Sequence, residues 1–149
     1  MDLPVPAALP EAYVPAPEQR MDLYRRIARV RDKDEADDLL DELIDRYGDP
    51  PEGAANLIRI ALLRARAARC GITEITKKET LLFALAELDL QTVAEVCGLE
   101  KYRGRLLFSA GDKPHLALRL KKGETDLLKL AETVVGDMEA QKKEPEKAD

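Results

Sequence analysis

Apolar positions along this chain follow two periods, and the change from one to the other falls near residue 72. Before it the helical period dominates. The clearest stretch holds Ala36, Leu39, Leu40, Leu43, Ile44 and Tyr47, in steps of 3, 1, 3, 1 and 3, which make one stripe on a helix. Asp32 followed by Glu35 reads as a capping box at its start, and Gly48 as its stop. The opposite face carries Asp37, Asp38, Asp41, Glu42 and Asp45. An earlier helix opens at Pro17, with Glu18 at its positive end, and puts Met21, Tyr24, Ile27 and Ala28 on one face. Its Arg20, Arg25, Arg26 and Arg29 fall mostly elsewhere. After Asp49-Pro50-Pro51 a third helix buries Leu57, Ile58, Ala61, Leu62, Ala65 and Ala68, and ends at Gly71 with Ile72 as a clamp behind the cap.

From residue 72 the signals are those of strands. Ile72 to Lys77 and Thr80 to Leu85 form a hairpin around Lys78-Glu79. Asp89 caps a short helix containing Val93, Val96 and Cys97, stopped by Gly98. Arg105 to Ala110 reads as a strand, Gly111 to Pro114 as a turn, and His115 to Lys121 as a strand with Leu116, Leu118 and Leu120 on one face. A last helix after Gly123 buries Leu127, Ala131, Val134, Val135 and Met138. The predicted class is α+β: three N-terminal helices, a small mostly antiparallel sheet with one inserted helix, and a closing helix.

The ends differ from this pattern. Residues 1–17 carry Pro4, Pro6, Pro10, Pro15 and Pro17, which predicts an extended connector whose Leu3, Val5, Leu9 and Val14 pack on a neighbour. Residues 18–141 form the α+β domain, and the polar tail 142–149 is expected to be disordered. The proline-rich opening reads as the start of a fragment.

Composition narrows the function. Hydrophobic residues are 45% and charged residues 36%, a globular mix. A net charge of −5 argues against a primary nucleic-acid binder, although local basic stripes are compatible with it. No apolar run approaches the roughly 20 residues of a membrane span, and no signal peptide is visible, so the chain reads as cytoplasmic. Cys70, Cys97 and His115 are too few and too scattered for a zinc site, so no metal is expected. The cysteines read as small buried thiols near helix ends.

Catalytic motifs are missing: no phosphate-binding glycine loop and no nucleophile elbow occurs, and one histidine leaves no nucleophile–base pair. The chain therefore reads as a regulatory or binding domain and not as an enzyme. Asp38, Asp41, Glu42 and Asp45 lie within one and a half turns. Splayed along a straight helix, they do not converge on a divalent ion. They form either a solvated acidic face or a docking face for a basic partner. Arg59, Arg64, Arg66 and Arg69 on the third helix form either a phosphate-contacting surface or a soluble face.

One family supplies a context. The stretch Leu3 to Val14, Arg20, Leu23 to Ala28, then Asp41-Glu42-Leu43-Ile44-Asp45-Arg46-Tyr47-Gly48, Pro51-Glu52 and Asn56-Leu57 resembles the C-terminal regulatory domain of bacterial transcription-repair coupling factors. The resemblance lies in letters over 3–72 and in pattern beyond. Tyr47 departs from it, since the family more often has Phe there. The resemblance implies that residues 1–17 connect to an upstream DNA-translocating motor, which would hold ATP and Mg; no cofactor is expected in this domain. It also implies a brake. The domain would dock on a UvrB-like N-terminal module of the same protein, mask the surface that binds UvrA, and restrain ATPase and translocation until RNA polymerase is engaged. Glu42 matches the position that pairs with the module's basic residues, with Asp38, Asp41, Asp45 and Arg46 around it. The alternatives are a structural clamp, or a nucleic-acid contact through Arg59, Arg64, Arg66 and Arg69.

Overall fold

The computed structural model describes residues 1–86 and 89–142. In chain order it has α1 (Pro17–Ala28), α2 (Lys33–Tyr47), α3 (Glu52–Arg69), β1 (Ile72–Lys77), β2 (Thr80–Leu85), α4 (Leu90–Cys97), a single 3-10 turn (Glu100–Tyr102), β3 (Leu106–Ser109), β4 (His115–Arg119) and α5 (Leu127–Lys142). The expected α+β class is what the chain adopts. The 3-10 turn was not foreseen. Residues 143–149 of the tail expected to be disordered lie outside the described residues, and Lys142 ends α5.

The described chain falls into two compact units, Val5–Arg66 and Met1–Pro4 with Ala67 onward. The division runs through α3 and not through residue 17, where the sequence suggested a boundary. The reason is burial: residues 5–17 of the proline-rich arm are part of the helical unit. Leu9 and Val14 are buried with Leu23, Ile27, Val30, Ala36, Leu39, Leu43, Ala54, Ile58 and Ala61 in one apolar cluster. Polar contacts seat the rest of the arm. The Asn56 side-chain amide donates to the Pro6 carbonyl at 2.9 Å, and the Leu9 amide donates to the Tyr24 hydroxyl at 2.8 Å. The Ala8 amide donates to the Gly53 carbonyl at 3.1 Å. A Cβ on Gly53 would lie only 3.1 Å from the Ala8 carbonyl oxygen, so glycine permits this close approach.

Each helix of this unit follows from local signals. Pro17 occupies the first turn of α1, and Arg20 donates to the carbonyl of Val14 at 2.9 Å. Leu23 and Ile27 form its buried face, while Met21, Tyr24 and Ala28 are exposed, which corrects the expected stripe. The aliphatic positions 23, 27 and 30 take the core, and Tyr24 sits at the edge where its hydroxyl meets the arm. In α2 the Asp32 side chain accepts from the Glu35 amide at 2.9 Å, one half of the expected capping box. Glu35 completes it one residue early, accepting from the Arg31 amide at 2.8 Å. Ala36, Leu39 and Leu43 are buried, whereas Ile44 at the stripe's edge is exposed. Gly48, at φ 86°, closes the helix with its amide on the Ile44 carbonyl. Along α3 the buried positions are Ala54, Asn56, Ile58, Ala61, Leu63 and Ala67, and the expected Ala68 is exposed.

The other unit holds a four-stranded antiparallel sheet in the order β1-β2-β4-β3. The hairpin turns at Lys78-Glu79, as the sequence indicates. Ile75, Leu81, Phe83, Leu106, Leu116 and Leu118 are buried on one face. Asp89 caps α4 by accepting from the Thr92 amide at 3.2 Å, and α4 packs on α5 and β3. Leu127, Leu128, Ala131, Val134, Val135 and Met138 are the buried stripe of α5. Buried Tyr102 donates its hydroxyl to Asp137, which also holds Lys101 at 2.8 Å. Burial first, and this hydrogen bond second, raise the Tyr102 pKa above its ordinary value. Asp2 adds one parallel bridge to β1 at Thr76.

The arm's integration is testable. Tyr13 donates to the Gly48 carbonyl at 2.7 Å and stacks at a tilt on Tyr47, with ring centroids 5.6 Å apart. Tyr13→Phe is expected to lower stability by about 1 kcal/mol, and Val14→Ala by about 1–2 kcal/mol, in urea unfolding. A loosely attached connector would leave the unfolding midpoint unchanged in both variants.

Candidate acidic face on the second helix

The period of α2 decides where its acids go. At ~100° per residue, Asp38, Asp41, Glu42 and Asp45 fall within an arc of roughly 100°, opposite the buried stripe. Asp38, Asp41 and Asp45 are exposed and carry no ion pair among the described residues. Asp37, outside the arc, is paired with Lys33 at 2.8 Å.

Glu42 is different. Its two carboxylate oxygens each accept from Arg26 of α1 at 2.6 Å, a fork-on-fork pair, and one also accepts from Arg46 at 3.1 Å. Arg46 in turn lies over the Tyr47 ring, 5.0 Å from its centroid. The hydrogen bond from Arg26 is the main cause that lowers the Glu42 pKa to about 2, assisted by Arg46 and opposed by partial burial. The same bond raises the Arg26 pKa. Beside this pair runs an open groove of about 310 Å³ between α1 and α2. Val30 and Leu39 give it an apolar floor, with Arg26 and Arg29 on one wall and Glu35, Asp38 and Glu42 on the other.

Sequence reasoning placed the acids on one face but missed Arg26 as the partner of Glu42. No local spacing signals a pair 16 residues apart on two helices; only the packing of α1 on α2 brings it about. The basic alternative is not one surface. Relative to Arg59, Arg66 lies within roughly 20° around the helix, Arg69 about 80° to one side, and Arg64 about 140° to the other. Arg59 and Arg66 are half-buried, and Arg59 donates to Asn56 at 3.5 Å. Of the remaining candidates, Cys70 and Cys97 are half-buried rather than buried, and burial pushes the Cys97 thiol up. His115 is half-buried, with Nδ1 3.0 Å from the Lys113 carbonyl. Among the described residues, no group of three or more His, Cys, Asp or Glu is placed to hold a metal, and no helix is long and apolar enough to cross a membrane.

Residues 3–94 match the TRCF domain family. The transcription-repair-coupling factor of Mycobacterium bovis is 38% identical over 104 residues, which are 70% of this chain and 8% of that protein. The Escherichia coli factor is 35% identical over 79 residues, 53% of this chain and 7% of that protein. This chain thus spans less than a tenth of the length of the relatives it matches. In fold it is similar to a crystal structure of the C-terminal domain of transcription-repair coupling factor, with a TM-score of 0.77, 18% identity, and coverage of 95% of this chain and 92% of that one.

The Glu42 pair gives a pH signature. A carboxylate held below its ordinary value stabilises the fold fully above pH of about 4.5, and that stabilisation fades as pH falls through about 2. Because both partners are about one-third exposed, its size is that of a solvent-screened pair, about 1 kcal/mol. Glu42→Gln should be less stable than the parent by about that amount at pH 7, and the gap should close between pH of about 4.5 and 2 in denaturant titrations. A gap that stays constant over this window would show that the charge of Glu42 is not what matters.

Proposed function

The chain belongs to the TRCF domain family of transcription-repair coupling factors, and from that membership we propose that it acts as a non-catalytic, autoinhibitory C-terminal domain. In this reading it docks on a UvrB-like N-terminal module of the same cytoplasmic protein, covers the surface that would bind UvrA, and restrains the upstream motor until RNA polymerase is engaged. ATP and Mg belong to that motor. The observation that carries the reading is the state of the acids on α2: Asp38, Asp41 and Asp45 are exposed and unpaired, on a helix whose flank is fixed by Arg26, Glu42 and Arg46.

The geometry revises the part given to Glu42. Its carboxylate is already shared by two guanidinium groups, so a partner cation must share or displace them. The three aspartates make the first contacts, and Glu42 with Arg46 sets the register. Each exposed pair contributes up to about 1 kcal/mol. A weak face of this kind suffices within one chain, where the effective concentration of a tethered module is on the millimolar scale. It also releases readily, because a ligand that prefers the open state needs to offset only a few kcal/mol.

Calorimetric titration of this chain with the separately produced N-terminal module tests the reading. Binding should weaken on going from ~50 to ~150 mM salt. Asp41→Lys with Asp45→Lys should reduce it at least about tenfold, the scale of two rim contacts reversed in sign. Equal binding by parent and variant would return the acidic face to a solvated surface.

A further inference from the structure

At one end of the sheet, cations from separate chain segments meet. Lys77 is the last residue of β1, followed by Lys78 in the hairpin turn, and Thr80 pairs with Arg119 at the same end. The Arg119 amide donates to the Arg105 carbonyl at 2.9 Å, and its guanidinium to the Gly104 carbonyl at 3.4 Å. These bonds bring the turn that carries Arg103 beside the end of β4. Just beyond, the Lys121 amide donates to Glu124 at 2.5 Å, and Glu124 holds Arg105 at 2.7 Å. Lys77, Lys78, Arg103, Arg119, Lys121 and Lys122 therefore share one rim. All six are exposed and without an ion pair among the described residues. Glu124 is taken by Arg105, which leaves Glu79 in the hairpin turn and Asp2, bridged to Thr76, beside the six cations.

We propose that this rim is a contact surface for the phosphate backbone of duplex DNA. It shares no residue with the acidic face, and the inference stands apart from the docking described above. Charge is the first argument: a patch of one sign on a chain whose net charge is −5 is a local feature that the average hides. The surroundings of the cations are the second. Thr80, Gly104 and Gly123 lie among them, and Leu120 is half-buried. A protein partner needs an apolar centre to its interface, whereas phosphate neutralisation needs only positioned charge. Span is the third argument. From β1 to β3 the sheet has three inter-strand steps of ~4.8 Å, or ~14 Å. That is close to the ~12 Å width of the major groove of B-form DNA. With no aromatic side chain among the six, the contact is expected to be indifferent to sequence.

Fluorescence anisotropy of a labelled, random-sequence DNA duplex of roughly 20 base pairs, titrated with the 149-residue chain at several KCl concentrations, tests this. The expected Kd lies between about 1 and 100 µM near physiological salt, with a log–log salt slope of about −3 for three to four phosphates neutralised. Lys121→Glu with Lys122→Glu, shown by circular dichroism to keep its fold, should weaken binding at least about tenfold. Arg64→Glu on α3 should leave it unchanged. The proposal is overturned by no binding at low salt, by equal binding of the double variant, or by tighter binding of duplex RNA or of polyglutamate than of the DNA.

Discussion

The helical period of α2 is the constraint on which both the fold of this unit and its acidic face depend. Ala36, Leu39 and Leu43 must face the cluster built by the arm, α1 and α3, and burying each large aliphatic side chain contributes roughly 1.5–3 kcal/mol. Once that stripe is set, no other residue of α2 has a choice of direction. Asp38, Asp41 and Asp45 point away from the cluster, and Glu42 and Arg46 lie on the flank beside α1. A slip by one residue would turn the helix by about 100° and drive a carboxylate toward the core, where an unpaired charge costs several kcal/mol. The acidic face is thus locked by apolar packing before any partner is considered.

Two kinds of carboxylate result, and they do different work. Glu42 is held by a two-pronged contact with Arg26 and a third bond from Arg46, so its position is fixed at the expense of its availability. The aspartates are short and solvated, and lose little rotamer freedom on meeting a cation. Short free acids around one restrained acid suit a surface that must be found quickly and released easily, because exposed charges set encounter and register more than affinity. The groove floored by Val30 and Leu39 adds a small apolar area at the same place.

What the sequence made legible was what local physics determines. The hairpin at Lys78-Glu79, the Asp89 and Gly98 ends of α4, and the stripe of α5 all rest on turn chemistry and period within a dozen residues. The family resemblance over 3–72 agreed with the match found over 3–94. What was missed depends on residues distant in the chain. Alternative faces of α1 were both plausible by period, and the arm with its Leu9 decided for Leu23 and Ile27. The packing of Leu9 and Val14 in the proline-rich arm was expected, but which residues they would meet was not. Arg26 found Glu42 only through interhelical packing. The basic rim is the extreme case: Lys77, Arg103 and Lys121 lie in three segments, and only the strand order β1-β2-β4-β3 and its register bring them to one end.

The same reasoning applies to charge: the net value of −5 averages over local sets of opposite sign. Net charge governs encounter at distances beyond a Debye length, about 8 Å at physiological salt; closer in, only the local set of charges is felt. The aspartates of α2 lie on successive turns, about 5 Å of helix rise apart, so each is sensed together with its neighbours. The rim likewise presents its own sign. Salt acts on the two sets differently. Exposed lysines and aspartates are screened strongly, and the one-third-exposed Arg26–Glu42 pair is screened less than they are. Rising ionic strength therefore screens these exposed charges before it loosens the apolar packing that aims the acids.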